Sequence, residues 1–352
     1  MSILHRCAAA LTSVCFTSCA LSQLTPAREF YGVGRPIPMT VSLPSPIAPP
    51  GEGAPAGAPS SPAGPPDCEI ALLSTTADQP VAVAPVLPGK VDLAAVLPVL
   101  WNKQPREVLF AQLRVGGKGV GAPVVLSPML NQPRARAKKV EGATRPTIMF
   151  VPLEGEEDVY SGVQAWIDKR VVLTTDEGEI EIATRPDAAP LASTNFLRLV
   201  AGGLYERTVF HRVVPLTREN HPFVIQGGDP TGTGSGGCGY YVDLENSRLP
   251  HSLGVVSMAR ADDPDSNGSQ FFVCLSREGT SRLDGSYAAF GVVTRGIETV
   301  LRIARTPLQP GTDKPVKAPM ITAAALVDAP PMEAGKPAAP QSPGGAGDNP
   351  PR

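Results

Sequence analysis

The sequence predicts a mainly β protein of two folded parts, joined and flanked by proline-rich segments, on three observations. Between Cys68 and Ile167, short β-branched runs alternate with turn formers. From Arg170 onward come a hairpin, a helix, several short strands and a late helix. That order suggests a closed β-barrel capped by helices, although periodicity alone does not choose the topology. The 40 Pro and 35 Gly among 352 residues are unevenly spread, the prolines crowding into Pro36–Pro66 and Pro330–Pro351. Such stretches lack the apolar content to offset the entropy of ordering. Residues 23–67 are therefore expected to be a disordered linker and residues 329–352 a disordered tail.

Residues 1–22 read as an export signal: His5-Arg6 precedes an apolar run, Cys7–Ala20, too short to span a bilayer. Two processing routes are open. Phe16-Thr17-Ser18-Cys19 resembles a lipobox that would leave Cys19 lipidated and membrane-attached; Ala20-Leu21-Ser22 is a small-x-small site that would free a chain starting at Gln23. Either way the expected location is the periplasm or cell envelope. Cys68, Cys238 and Cys274 are then the body's cysteines, too scattered for a disulfide framework or metal site. The net charge is −2 and the densest basic pair is Lys138-Lys139, which argues against a nucleic-acid partner.

The β-rich part, 68–167, offers strands at Val81–Val86, Val91–Leu100, Val108–Val115, Val124–Leu130 and Thr147–Val151. Pro88-Gly89, Asn102–Pro105, Gly116–Gly121 and Gln132-Pro133 supply the turns, giving a small sandwich-like domain in which Pro85, Pro98 and Pro123 favour edges. It has no His and no nucleophile–base pair. Val159–Lys169 fits a connecting helix or strand. In the second part, 168–328, Val171–Thr175 and Glu179–Ala183 are strands around the turn Asp176-Glu177-Gly178. A helix opens at Pro190, places Leu191, Phe196, Leu199 and Val200 on roughly one face, and stops at Gly202-Gly203. The late helix is Ile297–Ala304, opened by Gly296.

Three motifs follow in order: Phe210–Pro215 with Phe223–Asp229; Ser257-Met258-Ala259 with Asn267–Phe272; and Leu283–Gly291. Together they resemble the signatures of the cyclophilin-type peptidyl-prolyl cis-trans isomerases, over most of Arg170–Ile303. The resemblance implies an eight-stranded antiparallel barrel closed by two helices, with an outer groove for an Xaa-Pro segment. Carried over position by position, it implies Arg212 as the catalytic cation. Gln226, Phe223, Phe272 and Tyr287 complete the catalytic set, and Val224, Ala259, Arg260, Gln270 and Leu283 bind substrate. By the same alignment Phe271 enters the core and Phe272 the groove, as alternation in a strand requires. No cofactor is implied. The partners are proline-containing polypeptides, and a monomer is expected.

The amide bond itself sets the same demand. Rotation about an Xaa-Pro bond faces a barrier of roughly 18–20 kcal/mol from amide resonance, while the isomers differ by only about 0.5–1 kcal/mol. The task is therefore one of rate. It needs a groove that binds the twisted amide better than either planar form. A guanidinium can donate to the prolyl nitrogen, whose lone pair is freed as conjugation breaks.

Some residues depart from the family pattern. Tyr287 stands where many eukaryotic members have His, and Arg282 where they have Trp, which points to a bacterial-type protein with weak cyclosporin affinity. Leu216–Pro222 occupies the place of a single residue, beside the groove, where it is expected to reshape access or displace Phe223. Arg260 replaces a common Asn, and Ala261–Ser266 is slightly long. Other signals carry no chemistry. Gly232, Gly234 and Gly237 match GxGxxG spacing but lead into turn and strand rather than a helix, and His5, His211, His221 and His251 lack paired spacing. The expectation is an exported, cofactor-independent isomerase that helps exported proteins fold. The alternative is an envelope module that binds proline segments with little turnover.

Overall fold

The computed structural model describes residues 23–43, 67–131, 136–140, 148–151 and 159–340. The export signal with Cys19, residues 44–66 of the expected linker and residues 341–352 of the expected tail lie outside the described residues. The rest of that linker is not disordered. Residues 23–43 form β1 (Gln23–Pro26), β2 (Phe30–Gly32) and β3 (Pro38–Ser42). Leu24, Tyr31, Met39 and Val41 are buried there, a period-2 burial compressed into strands of three to five residues and hidden among prolines.

The N-terminal strands continue with β4 (Cys68–Leu73), β5 (Ala82–Val86), β6 (Gly89–Asp92), β7 (Leu109–Val115), β8 (Lys118–Gly119), β9 (Val124–Asn131), β10 (Arg136–Lys139), β11 (Ile148–Val151) and β12 (Val159–Ile167). One sheet runs β1-β3-β6. A second runs β2-β12-β9-β7-β4-β5, with β8 paired to β7, and β10 and β11 form a two-stranded sheet among the described residues. A single buried cluster draws Leu24, Met39 and Val41 from the first sheet and Ile70, Leu72, Leu113 and Leu126 from the second. Pro85 lies in β5, an edge strand, where its missing N–H costs no ladder bond. Val91–Leu100, expected as one strand, instead bends after Asp92. That carboxylate accepts the N–H groups of Ile37 (2.8 Å) and Ala94 (3.1 Å), capping the short α1 (Leu93–Val96), and Pro98 opens α2 (Val99–Asn102).

In the second part, β13 (Lys169–Thr175) and β14 (Gly178–Thr184) form the hairpin. Gly178 is required at its turn: φ is 127°, and a Cβ there would lie 2.7 Å from Arg302 Nη2. Helix α3 (Pro190–Ala201) begins on proline as anticipated. Leu191 is 54% exposed rather than buried with Phe196, Leu199 and Val200. It sits in the first turn, where its N–H and that of Ala192 are taken by the Glu245 carboxylate, both at 2.8 Å. Then come β15 (Arg212–Val214), β16 (Val224–Gly227), β17 (Val255–Met258), β18 (Phe271–Cys274), α4 (Arg277–Thr280), a 3₁₀ turn (Ser281–Leu283), β19 (Ala289–Arg295), α5 (Ile297–Ile303) and β20 (Ile321–Asp328).

These strands form one antiparallel eight-stranded sheet in the order β15-β16-β18-β17-β19-β14-β13-β20. At its two ends, Arg207 donates to the Ile321 carbonyl and Phe210 to the Pro319 carbonyl, each at 2.8 Å. Residues of α3 and α5 share the enclosed core with Tyr205, Phe210, Phe271 and Phe290. Phe196 centres it, with ring centroids 5.0 Å from Phe290 and 5.5 Å from Phe271. Beyond β20, residues 329–340 are placed on the N-terminal strands, contrary to the expected disorder. Met332 donates its N–H to Gln112 Oε1 (2.7 Å), and Met332 and Ala334 cover Ala71, Leu73, Phe110 and Val125. Gln112 explains the contact: it is fully buried, and its amide nitrogen is already committed to the Leu113 and Val120 carbonyls.

Candidate active site

Cross-strand register assembles the site. Arg212 of β15 pairs with Gln226 of β16, and Gln226 pairs with Phe272 of β18. Directly opposed residues on adjacent strands project to the same face, so these three side chains form one row. Phe271, one residue earlier, points into the core and is fully buried, as strand alternation demands.

Around that row lies a cavity of about 770 Å³, within the size range of ligand pockets. It is lined by nine of the ten predicted site residues: Arg212, Phe223, Val224, Gln226, Ala259, Arg260, Phe272, Leu283 and Tyr287. Phe223, Val224, Phe272 and Leu283 belong to one apolar cluster, with Ala259 and Tyr287 packed at its margin. Tyr287 meets Phe272 edge-on at 5.7 Å. Two rim cations lie over aromatic faces, Arg282 at 4.7 Å from the Phe223 ring centroid and Arg260 at 4.6 Å from that of Tyr287. Arg260 also donates to the Ser286 and Ala261 carbonyls, so part of its hydrogen-bonding capacity is already committed to the backbone.

Gln270 is the exception among the predicted site residues. It does not line the cavity. Its Nε2 donates to the Gly234 (3.0 Å) and Gly236 (2.8 Å) carbonyls, and its Oε1 accepts from Gln226 Nε2 at 2.9 Å. Gln226 Oε1 in turn accepts from Arg212 Nη1 at 3.2 Å. The glycine loop is therefore the far anchor of the arginine. Asp229, fully buried, holds that loop by accepting the N–H groups of Thr231 (2.7 Å), Gly234 (2.6 Å) and Gly236 (3.1 Å), with the Thr231 hydroxyl at 2.9 Å. Burial alone would raise the Asp229 pKa, but these donors bring it down to about 2.

Leu216–Pro222 does not displace Phe223. It folds on itself, with the Thr217 N–H on the His221 carbonyl (2.8 Å) and Thr217 Oγ1 accepting from the Glu219 and His221 N–H groups. It then returns through Pro222, whose carbonyl accepts Ser276 Oγ at 2.7 Å, and Phe223 stays 9% exposed on the groove. Of the insertion, Glu219 lines the cavity.

Two features escaped the sequence reading. Asp313, a hundred residues beyond Arg212, accepts from its Nε (3.2 Å) and approaches its Nη2 (3.1 Å). Beneath Phe272, His251 lies nearly parallel to the ring at 6.0 Å and joins Asp284 and Ser257, each at 3.0 Å. This Ser–His–Asp chain is no hydrolytic triad. Ser257 and His251 are fully buried, out of reach of any substrate, and burial lowers the His251 pKa against the pull of Asp284. It serves as the groove's floor.

Residues 170–326 match the family described as cyclophilin type peptidyl-prolyl cis-trans isomerase/CLD. The chain is similar to peptidyl-prolyl cis-trans isomerase-like 2 of Cryptococcus neoformans, 40% identical over 152 residues, covering 41% of this chain and 25% of that protein. It thus spans about a quarter of the length of that longer relative. It is also similar to peptidyl-prolyl cis-trans isomerase-like 1 of Gibberella zeae, 37% identical over 163 residues, covering 45% of this chain and 94% of that one. Among solved structures, it is similar to a Cryptosporidium parvum cyclophilin type peptidyl-prolyl cis-trans isomerase crystallised in the presence of dipeptide Ala-Pro. That likeness has 35% sequence identity and a TM-score of 0.41, covering 46% of this chain and 99% of that one. With nearly the whole of the Gibberella protein matched by its C-terminal half, the chain belongs to the cyclophilin-type peptidyl-prolyl cis-trans isomerase family.

Proposed function

We propose that residues 168–328 accelerate cis–trans rotation about Xaa-Pro bonds of polypeptide segments laid in the groove. The observation that carries this reading is the row Arg212–Gln226–Phe272: a guanidinium held beside an apolar notch. The proline ring seats against Phe272, Phe223 and Leu283. As the amide twists, its nitrogen pyramidalises and gains a lone pair that the planar form lacks. Arg212 donates to that nitrogen, an interaction made in the transition state and absent from both ground states. Gln226 orients the guanidinium, and the Tyr287 hydroxyl reaches a substrate carbonyl. Bonds rotate and none breaks, so neither a nucleophile nor a proton transfer is needed.

In this reading the eight-stranded sheet is a barrel closed where the chain before β15 meets the chain before β20, and the strands before Ile167 are a sandwich-like companion domain. The apolar run at Cys7–Ala20 supports export to the periplasm or envelope, with lipidation at Cys19 as the attachment route. Arg282 and Tyr287 support a bacterial-type groove. The clients are then unfolded or loop segments of exported proteins, met by a monomer.

A protease-coupled assay on a proline peptide tests the activity with the full chain and Arg212→Ala. The expected result is turnover by the wild type, lost in the variant while peptide binding persists. Equal turnover by both removes Arg212 from the mechanism. Binding without turnover by the wild type supports a docking module instead.

A further inference from the structure

We infer that Asp313 is a positioning residue for Arg212, holding the guanidinium in the orientation that the twisted amide requires. The inference rests on the isomerase reading above and adds a residue to it. Arg212 is a long side chain, 41% exposed, on a three-residue strand near the end of the sheet. Left alone, such a side chain samples many rotamers, and each must be given up when it engages substrate. Here both edges of the fork are already held. Asp313 Oδ2 lies 3.2 Å from Nε and 3.1 Å from Nη2, and Gln226 Oε1 lies 3.2 Å from Nη1. Two acceptors on opposite edges of a planar group fix its plane as well as its position, and the fork keeps further N–H groups for substrate.

Asp313 can do this because it is itself fixed. Its carbonyl accepts the N–H of Val213, the residue after Arg212, at 2.8 Å, so anchor and arginine are tied to the same strand. Its loop is closed on either side: Gln309 N–H to the Lys314 carbonyl (2.8 Å), Thr312 N–H to the Gln309 carbonyl (3.1 Å) and Lys314 N–H to Thr312 Oγ1 (3.2 Å). These bonds do not depend on the Asp313 carboxylate, so its removal leaves the loop's framework in place. The ordering of Arg212 is thus completed during folding rather than at each turnover, which is the preorganisation that favours a transition state.

The test compares Asp313→Ala and Asp313→Asn with the wild type, and repeats Asp313→Ala in an Arg212→Ala background, using full-length chains. Exposed ion pairs are modest, so Asp313→Ala is expected to lower kcat about two- to tenfold with KM nearly unchanged. Asp313→Asn, which keeps an acceptor oxygen, recovers part of that loss. About 1 M salt, which shortens screening to about 3 Å, brings the wild type toward Asp313→Ala. In the Arg212→Ala background the substitution changes nothing. Circular dichroism and thermal midpoints that match the wild type separate this from a folding defect. An active wild type with Asp313→Ala at or above its kcat, or an equal loss in the Arg212→Ala background, overturns the role of Asp313 alone. An inactive wild type overturns the isomerase reading and this inference together.

Discussion

Asp229→Asn should destabilise the groove side of the fold by an amount that depends on pH in a specified direction. The Asp229 carboxylate is fully buried and accepts three main-chain N–H groups and the hydroxyls of Thr231 and Thr233. Asparagine offers one carbonyl oxygen and an NH₂ that would face N–H donors, so at least one loop N–H loses its carboxylate partner. Net values for hydrogen bonds to charged groups are about 1.5–3 kcal/mol. The titration gives a second route to the magnitude. A folded pKa of about 2 against an ordinary value of 3.8 corresponds to about 2 kcal/mol. Because the folded pKa is depressed, this stability is present above about pH 4 and is lost as pH falls toward 2, with about half gone by pH 3. Urea unfolding followed by circular dichroism at pH 7 and pH 3 measures it. The variant should be weaker by about 2–4 kcal/mol at pH 7, and the gap should shrink by about 1 kcal/mol at pH 3. A variant as stable as the wild type at pH 7, or a gap that does not narrow, refutes the argument.

Two further outcomes follow from the same geometry. Gln226→Leu keeps side-chain bulk but removes both the acceptor for Arg212 and the donor to Gln270; kcat in the proline-peptide assay should fall about tenfold, with less change in KM. Met332→Asp puts a charge against Ala71, Leu73, Phe110 and Val125, which should release residues 329–340 to protease cleavage and lower stability by about 1–3 kcal/mol, with isomerisation unaffected.

What the sequence disclosed, and what it withheld, follow the range of the interactions involved. The groove residues were readable through the family resemblance of the motifs they sit in or beside; strand alternation required Phe271 and Phe272 to part, and the resemblance assigned Phe271 to the core. The hairpin and both longer helices were readable from local turn and cap chemistry at Gly178, Pro190 and Gly296. The strands of residues 23–43 were not: β1 and β3 pair with each other, but they are short, and their further pairing is with β6 and, for β2, with β12, far along the chain. Asp313 was hidden for the same reason: nothing in Gly311-Thr312-Asp313-Lys314-Pro315 signals a partner a hundred residues earlier. Gln270 was placed beside substrate by resemblance, whereas its amide is occupied by the glycine loop that Asp229 holds. The Asp–Thr–Gly composition of that loop is a signal of side-chain-to-backbone bonding that the GxGxxG comparison passed over. The insertion at Leu216–Pro222 looked obstructive because its length was visible, while its internal hydrogen bonds to Thr217 were not.

The central claim is that Arg212 acts on the twisted amide and not on the bound ground state. Exchange spectroscopy by NMR on a single proline peptide reads the interconversion rate on the protein and the dissociation constant in one sample. For Arg212→Ala the expected rate is lower by about a hundredfold or more, the scale of losing one transition-state donor, with the dissociation constant changed less than about threefold. A variant that interconverts the bound peptide at the wild-type rate, or that loses rate only in proportion to lost binding, would contradict it.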